Sequence, residues 1–204
     1  MVNNAYDQLE RVFDRWWRTL SDSDQTGERG ERANRADAAR LRRVGTISTL
    51  TGPVVDVELA VTIEAFRDLH RRVRSIGQAR PAWEENLVVA AVTLAHIRSG
   101  ATGRKTAAIL RGEPGADRPL MAEPRFLRLM RVRTPADLLD EGRRLAALLK
   151  SGAPPGELGA SLMLWIDDPG LRRLWAQTYY GLGAPDRPSH PAIEQQTELG
   201  EIPS

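Results

Sequence analysis

The sequence predicts an all-α protein of about eight or nine helices in two small bundles, with a flexible C-terminal tail. Apolar residues recur every three to four positions through most of the chain. Helix-start pairs such as Thr134-Pro135 and Asp168-Pro169, and stop residues such as Gly100, Gly112 and Gly181, bracket those stretches. The last 22 residues hold four prolines and few large apolar groups. Hydrophobic residues make up 41% of the 204, enough for a core.

The first helix is marked by Leu9, Val12, Phe13, Trp16 and Leu20, with charges between them. Asn4 is its expected cap, with Asp7 near the positive end. A polar stretch, SDSDQTGERGERANRADA, begins as a loop and turns into a second helix through Ala36, Ala39, Leu41 and Val44. Residues 44–63 carry two signals. Their β-branched content allows a short hairpin at Thr51-Gly52-Pro53. Leu59, Ile63, Phe66, Leu69, Val73 and Ile76 instead keep a helical period, and a helix is expected from about Asp56 to Ile76. Pro81 opens the next helix, with Trp83, Leu87, Ala91, Leu94 and Ala95 on one side and Gly100 at its end. A short helix in GRKTAAILRG ends at Gly112, and the loop EPGADRPL marks a boundary between halves.

The second half begins with the amphipathic PRFLRLMR. Thr134-Pro135-Ala136-Asp137 is a helix start with cap, proline and acid in sequence, and Leu138, Leu145, Leu148 and Leu149 line the inner face. After the loop SGAPPGE come Leu158, Leu162, Trp165 and Ile166 on another helix. Asp168-Pro169 restarts the chain, with Leu171, Leu174, Trp175 and Thr178 inward and Gly181 as terminator. The expected division is therefore 1–115, 116–182 and an acidic, proline-rich tail at 183–204.

The chain contains no cysteine, which removes disulfide scaffolds, thiol catalysis and cysteine zinc sites. Histidines 70, 96 and 190 share no ligand spacing, so no metal or other cofactor is expected. The longest apolar stretch, Leu87 to Ile97, is too short to cross a membrane. The N-terminus, MVNNAYDQLERVFDRWW, lacks a basic start followed by an apolar run, so no secretory signal is expected. The chain reads as a soluble, cytoplasmic protein.

Net charge is only +2, but it is unevenly spread. From residue 183 onward there are one arginine and four acids, so residues 1–182 carry 28 basic and 23 acidic groups, a net of +5. Twenty-seven of the 29 basic residues are arginine. Arginine presents a planar fork that grips phosphate and stacks on bases, although GC-rich coding also favours it. Position along the chain has to decide between the two.

The first arginine cluster is Arg29, Arg32, Arg35, Arg40, Arg42 and Arg43. Glu28, Glu31 and Asp37 offset part of it, leaving Arg40 to Arg43 as its free end. In the second, Arg125, Arg128 and Arg131 span about 120° of a helix at 100° per residue. Phe126, Leu127, Leu129 and Met130 take the opposite side, and with only Glu123 near, this face is expected to carry unpaired positive charge. The third is Arg143-Arg144, with Asp140 and Glu141 close by, and Arg104-Lys105 forms a small basic loop. Either these are solvated faces with ion pairs or they form a phosphate-tracking surface. No base-reading module is present, so binding would be largely independent of sequence.

Signals for catalysis are weak. Asp167-Asp168 reads better as a cap before Pro169 than as a metal site. GAPPGELG lacks the Gly-Lys-Ser/Thr ending of a phosphate loop, and no serine sits in a nucleophile elbow. Trp16 lies on the apolar stripe, Trp17 sits about 100° away and reads as either core or surface, and Trp175, Tyr179 and Tyr180 read as packing residues. His70 reads as a surface residue and His96 lies near a helix end.

Several segments, taken in order, are similar to a known family. These are WWRTL closing the first helix, RANRADAARLRRV, GRKTAAIL, PRFLRLMRVRTPADLLDEGRRLAALL and LGASLMLWIDDPGLRRLWAQTYY. The chain resembles CasB, the small subunit of the type I-E CRISPR Cascade surveillance complex, over roughly residues 9–43 and 103–180. The resemblance implies a two-part helical fold without catalytic activity, present as two copies alongside other Cascade subunits. It implies contacts with guide RNA, target DNA and the displaced strand of the R-loop. It places the binding residues at Arg42, Arg43, Arg104, Lys105, Arg125, Arg131, Arg143 and Arg144. Arg128 is added from helix geometry, and Arg40 from the free end of the first cluster. Residues 44–100 show little likeness to the family, and the tail after Gly183 reads as an extension.

The expected function is thus a non-catalytic nucleic-acid-binding subunit acting in antiviral defence. Two rivals differ in class. One is a helical adaptor or regulator whose arginine faces bind acidic proteins. The other is a hydrolase with a metal on Asp167 and Asp168.

Overall fold

In a computed structural model of the chain, residues 2–21, 27–77, 83–101, 103–112, 118–149 and 152–182 are described. The elements run α1 (Val2–Ser21), α2 (Gly27–Leu41), β1 (Thr46–Thr49), β2 (Gly52–Val55), α3 (Val57–Val61), α4 (Glu64–Ser75), α5 (Trp83–Ala95), α6 (Thr106–Arg111), α7 (Glu123–Met130), α8 (Pro135–Leu148), α9 (Pro155–Leu164) and α10 (Pro169–Tyr179). The all-helical expectation holds, with ten helices and one two-stranded hairpin among the described residues.

Two helices are mostly apolar on every side, so they lie inside. Every residue of α5 from Asn86 to Ala95 is buried, and so is every residue of α9. The expectation of one inward side on α5 is corrected: α8 and α9 both pack on it. α1 lies along α9 and buries Leu9, Phe13 and Trp16 completely. Their approach depends on Gly159 of α9, where a Cβ would fall 2.5 Å from Phe13 Cγ. α1 runs from Val2, so Asn4 lies inside it and not at the position before its first turn.

Residues 44–63 resolve the two sequence signals by position. β1 and β2 pair antiparallel from Thr46↔Val55 to Thr49↔Gly52, and Gly52 supplies the positive φ of +119° at the turn. Asp56 then caps α3, accepting from the Leu59 N–H at 2.8 Å. The single helix expected over Asp56–Ile76 is broken at Ile63, which is extended and buried. Tertiary partners explain the break. The carboxylate of Asp37 on α2 accepts from the Ala65 N–H at 2.9 Å and so caps α4 from outside. The Ala65 carbonyl accepts from Trp16 Nε1 at 2.8 Å.

In the second half the start signals hold. Thr134 Oγ1 accepts from the Asp137 N–H at 3.2 Å, and Asp168 Oδ1 accepts from Gly170 and Leu171 at 2.8 and 3.1 Å. Gly181 ends α10 with a φ of +71°. The inward assignment of Leu174 is corrected, since it is exposed, and Leu127 on the apolar side of α7 is exposed as well. Residues before and after 113–117, from Leu9 to Tyr179, enter one apolar cluster. The expected boundary at 115–116, the helix start at Pro81 and the tail at 183–204 lie outside the described residues.

Candidate nucleic-acid interface

The end of α2 supplies the first group of arginines. Arg40 faces α3: its Nη2 donates to the carbonyl of Thr62 at 3.4 Å and approaches its hydroxyl at 3.2 Å, while Nη1 lies 3.7 Å from Asp37. Arg42 donates to the carbonyl of Ala95 at 2.8 Å. That carbonyl is one of the orphan acceptors at the end of α5, so α2 supplies the cation that α5 lacks in its own last turn. Arg43, next to it, is exposed, and its guanidinium has no ion-pair or hydrogen-bond partner among the described residues.

α8 supplies the second group. Arg143 donates to the carbonyl of Val44, where the hairpin leaves α2, and lies 3.8 Å from Asp140. Burial, then Arg42, then Arg143 lower the pKa of His96 below the usual histidine value. Both arginines thus bear on His96, and together with burial they favour its neutral form.

α7 stands beside α8. Arg128 Nε lies 2.7 Å from Glu141 Oε1, and Arg144 Nη1 reaches the same oxygen at 2.5 Å. This corrects the expectation that the α7 face is wholly unpaired, because Arg128 is committed to a buried acid. Arg125 and Arg131, flanking it, are exposed and have no ion-pair partner among the described residues. Glu141 falls three residues after Leu138 and four before Leu145, on the apolar stripe of α8. An acid on that stripe is the sequence signal for its role. Between Glu141 and Arg143 sits Gly142, where a Cβ would fall 2.3 Å from Thr93 Oγ1 of α5. The absent side chain brings α8 onto α5 and thereby sets where Glu141, Arg143 and Arg144 emerge.

Arg42, Arg43, Arg143, Arg144 and Arg128, with Arg125 and Arg131 beside it, are thus linked from the end of α2 through α8 to α7 by the Val44 carbonyl and Glu141, and together they make an arginine belt. Arg104 and Lys105 are joined to other elements. They precede α6, whose Thr106 N–H donates to Glu157 of α9 at 3.0 Å, and α6 packs on α10. Arg104 reaches the carbonyls of Ala108 and Gly112, each at 3.4 Å. Lys105 lies close enough to Glu10 of α1 to lower its pKa, against the rise caused by burial and by Asp7 and Asp14.

The other residues considered as sites are accounted for by structure. Asp168 caps α10, and no group of three or more metal-ligating side chains occurs among the described residues. Trp16 and Trp17 are both buried, and Trp17 Nε1 donates to the carbonyl of Ile97 at 3.3 Å. Tyr179 stacks on Phe126 at 3.8 Å and donates to the Met121 carbonyl at 2.7 Å. His70 is tied to Glu84 at 3.0 Å and packs 4.7 Å from the Trp83 ring. No helix among the described residues is long and apolar enough to cross a membrane.

A family model described as CRISPR-associated protein Cse2 matches residues 37–180. The matched region begins at Asp37, the external cap of α4, ends just after α10, and includes every arginine of the belt. Neither a curated protein nor a solved structure matches the chain.

Proposed function

The chain belongs to the Cse2 family, the CasB small subunit of type I-E Cascade, and from that premise we propose that its arginine belt holds nucleic-acid backbone without reading sequence. The ligands are guide RNA and target DNA, including the displaced strand of the R-loop. Opening a duplex against a guide is nearly balanced, because the RNA–DNA duplex formed is about as stable as the DNA duplex lost. Modest backbone contacts then decide the outcome. Arginines on a rigid helical surface bias the balance by occupying the displaced strand. The subunit works by holding, alongside the other Cascade subunits and as two copies, in the cytoplasm.

One observation carries this reading. Arg43, Arg125 and Arg131 are exposed and have no ion-pair partner among the described residues, on elements joined through Arg143 and through the Arg128–Glu141–Arg144 contact. Free guanidinium groups held at fixed separations suit a phosphate chain. Arg104 and Lys105 belong to the proposal as a separate, smaller contact.

Fluorescence anisotropy of the full chain with random-sequence single-stranded DNA, duplex DNA and RNA tests it across a salt titration. A log–log slope on single strands of about −3 or steeper is expected, since each phosphate contact contributes about 0.7. No binding even at low salt would remove the proposal and favour a protein ligand for the belt.

A further inference from the structure

The hairpin at Thr46–Val55 has an unusual tip. Leu50 is wholly exposed, and Ile47 on β1 is 44% exposed. The tip is nevertheless held in shape. Thr49 Oγ1 donates to the Gly52 carbonyl at 2.6 Å and lies 3.1 Å from Thr51 Oγ1. From Val44 to Val55 there is no charged residue, and the hydroxyl-bearing Thr46, Ser48, Thr49 and Thr51 are exposed. At its base stand Arg43, exposed, and Arg143, whose guanidinium holds the Val44 carbonyl.

We propose that Leu50 is a wedge that inserts between neighbouring bases of a single strand whose phosphates are held by Arg43 and the belt. The inference rests on the nucleic-acid reading given above. Its occupant follows from charge. An uncharged, hydroxyl-bearing projection approaches a polyanion without repulsion, and the arginines at its base attract one. Aliphatic wedges of this size part stacked bases, and a braced turn delivers the side chain without further ordering.

The test uses the full chain at low salt with a random-sequence single strand carrying 2-aminopurine, whose emission rises when it is unstacked. The unaltered protein is expected to raise the emission on saturation. Leu50→Ala is expected to lose most of that rise and to weaken binding about three- to tenfold, leaving the salt slope unchanged, because no phosphate contact is removed. Leu50→Phe is expected to restore the rise. An equal rise and equal affinity in Leu50→Ala, with Arg43→Ala weakened, would overturn the wedge and leave the belt standing. Normal oligonucleotide binding by Leu50→Asp, with failure to enter assembled Cascade, would make the tip a protein contact and also overturn it. Absence of binding by the unaltered chain would remove both.

Discussion

Arg128 of α7 and Glu141 of α8 meet at 2.7 Å, and that contact gives the belt an internal counter-charge. Glu141 has only 7% of its side chain exposed, while Arg128 and Arg144 keep 55% and 57%. The acid is buried and its partners are wet. Glu141→Gln therefore leaves two hydrated guanidinium groups and no stranded buried charge. The expected cost is about 1–2 kcal/mol, at the lower end for charged hydrogen bonds because both partners can rehydrate. Binding is expected to move the opposite way, with tighter single-strand affinity at low salt. Urea denaturation and anisotropy on the same preparation check both signs, and a variant that loses both together would argue against the belt as the binding face.

Arg125→Ala combined with Arg131→Ala removes the two flanking cations without touching an ion pair among the described residues. Stability is expected to stay within about 0.5 kcal/mol of the unaltered protein. The salt slope on single strands is expected to fall by roughly 1.4, from two lost phosphate contacts. An unchanged slope in a folded double variant would remove α7 from the interface.

Gly142→Ala tests how α8 is positioned. The new Cβ would meet Thr93 Oγ1 at 2.3 Å, and Thr93 is fully buried. Overpacking of this kind costs about 1–3 kcal/mol. The Thr93 hydroxyl has no hydrogen-bond partner among the described residues. Thr93→Ala is therefore expected to recover most of the loss when combined with Gly142→Ala, a coupling that a double-mutant cycle by thermal denaturation reads directly.

What the sequence reveals follows from how local each cause is. Thr134 and Asp168 cap their helices within three residues, so their pattern is legible. The break at Ile63 depends on Asp37 of α2 and Trp16 of α1, and no local propensity encodes it. The hairpin and the helix after it were both written in residues 44–63, but period alone could not divide them. For the belt, the sequence shows which residues are cationic. It does not show that Arg128 crosses to Glu141, or that Arg42 reaches Ala95 and Arg143 reaches Val44, because those pairings join distant segments.

Trp165 closes the end of α9. It is fully buried and meets Trp175 edge-on with ring centroids 4.9 Å apart. Trp165→Ala is expected to cost about 3–5 kcal/mol, as large-to-small changes at filled sites do. The drop in urea midpoint measures it, and a loss below about 1 kcal/mol would mean that the cavity collapses freely.

Glu157 is the other buried acid among the described residues, and its pH behaviour can be worked out. Thr106 donates to its Oε2 from both backbone and hydroxyl, and Ser161 Oγ lies 3.4 Å from Oε1. Tyr6 and Glu10 of α1 and Trp175 of α10 complete its surroundings, through Ser161 or by charge. Burial raises its pKa above the usual glutamate value, Glu10 adds to the rise, and the hydrogen bonds from Thr106 and Ser161 oppose it. A carboxyl raised in the folded state holds its proton there after the unfolded chain has released it. Its contribution to stability is therefore present near the unfolded value, about pH 4.3, and is lost as pH rises through the higher folded value. His96 works in the other direction, since its lowered pKa removes stability as pH falls below about 6.5. The difference between variant and unaltered protein isolates Glu157 from that opposing trend. Glu157→Gln keeps an acceptor for Thr106 and cannot ionise. Its stability relative to the unaltered protein, read from urea midpoints, is expected to rise as pH increases above about 4.3 and to level off once the carboxyl has ionised in the fold. Parallel curves across that range would show that the carboxylate ionises inside the fold without cost.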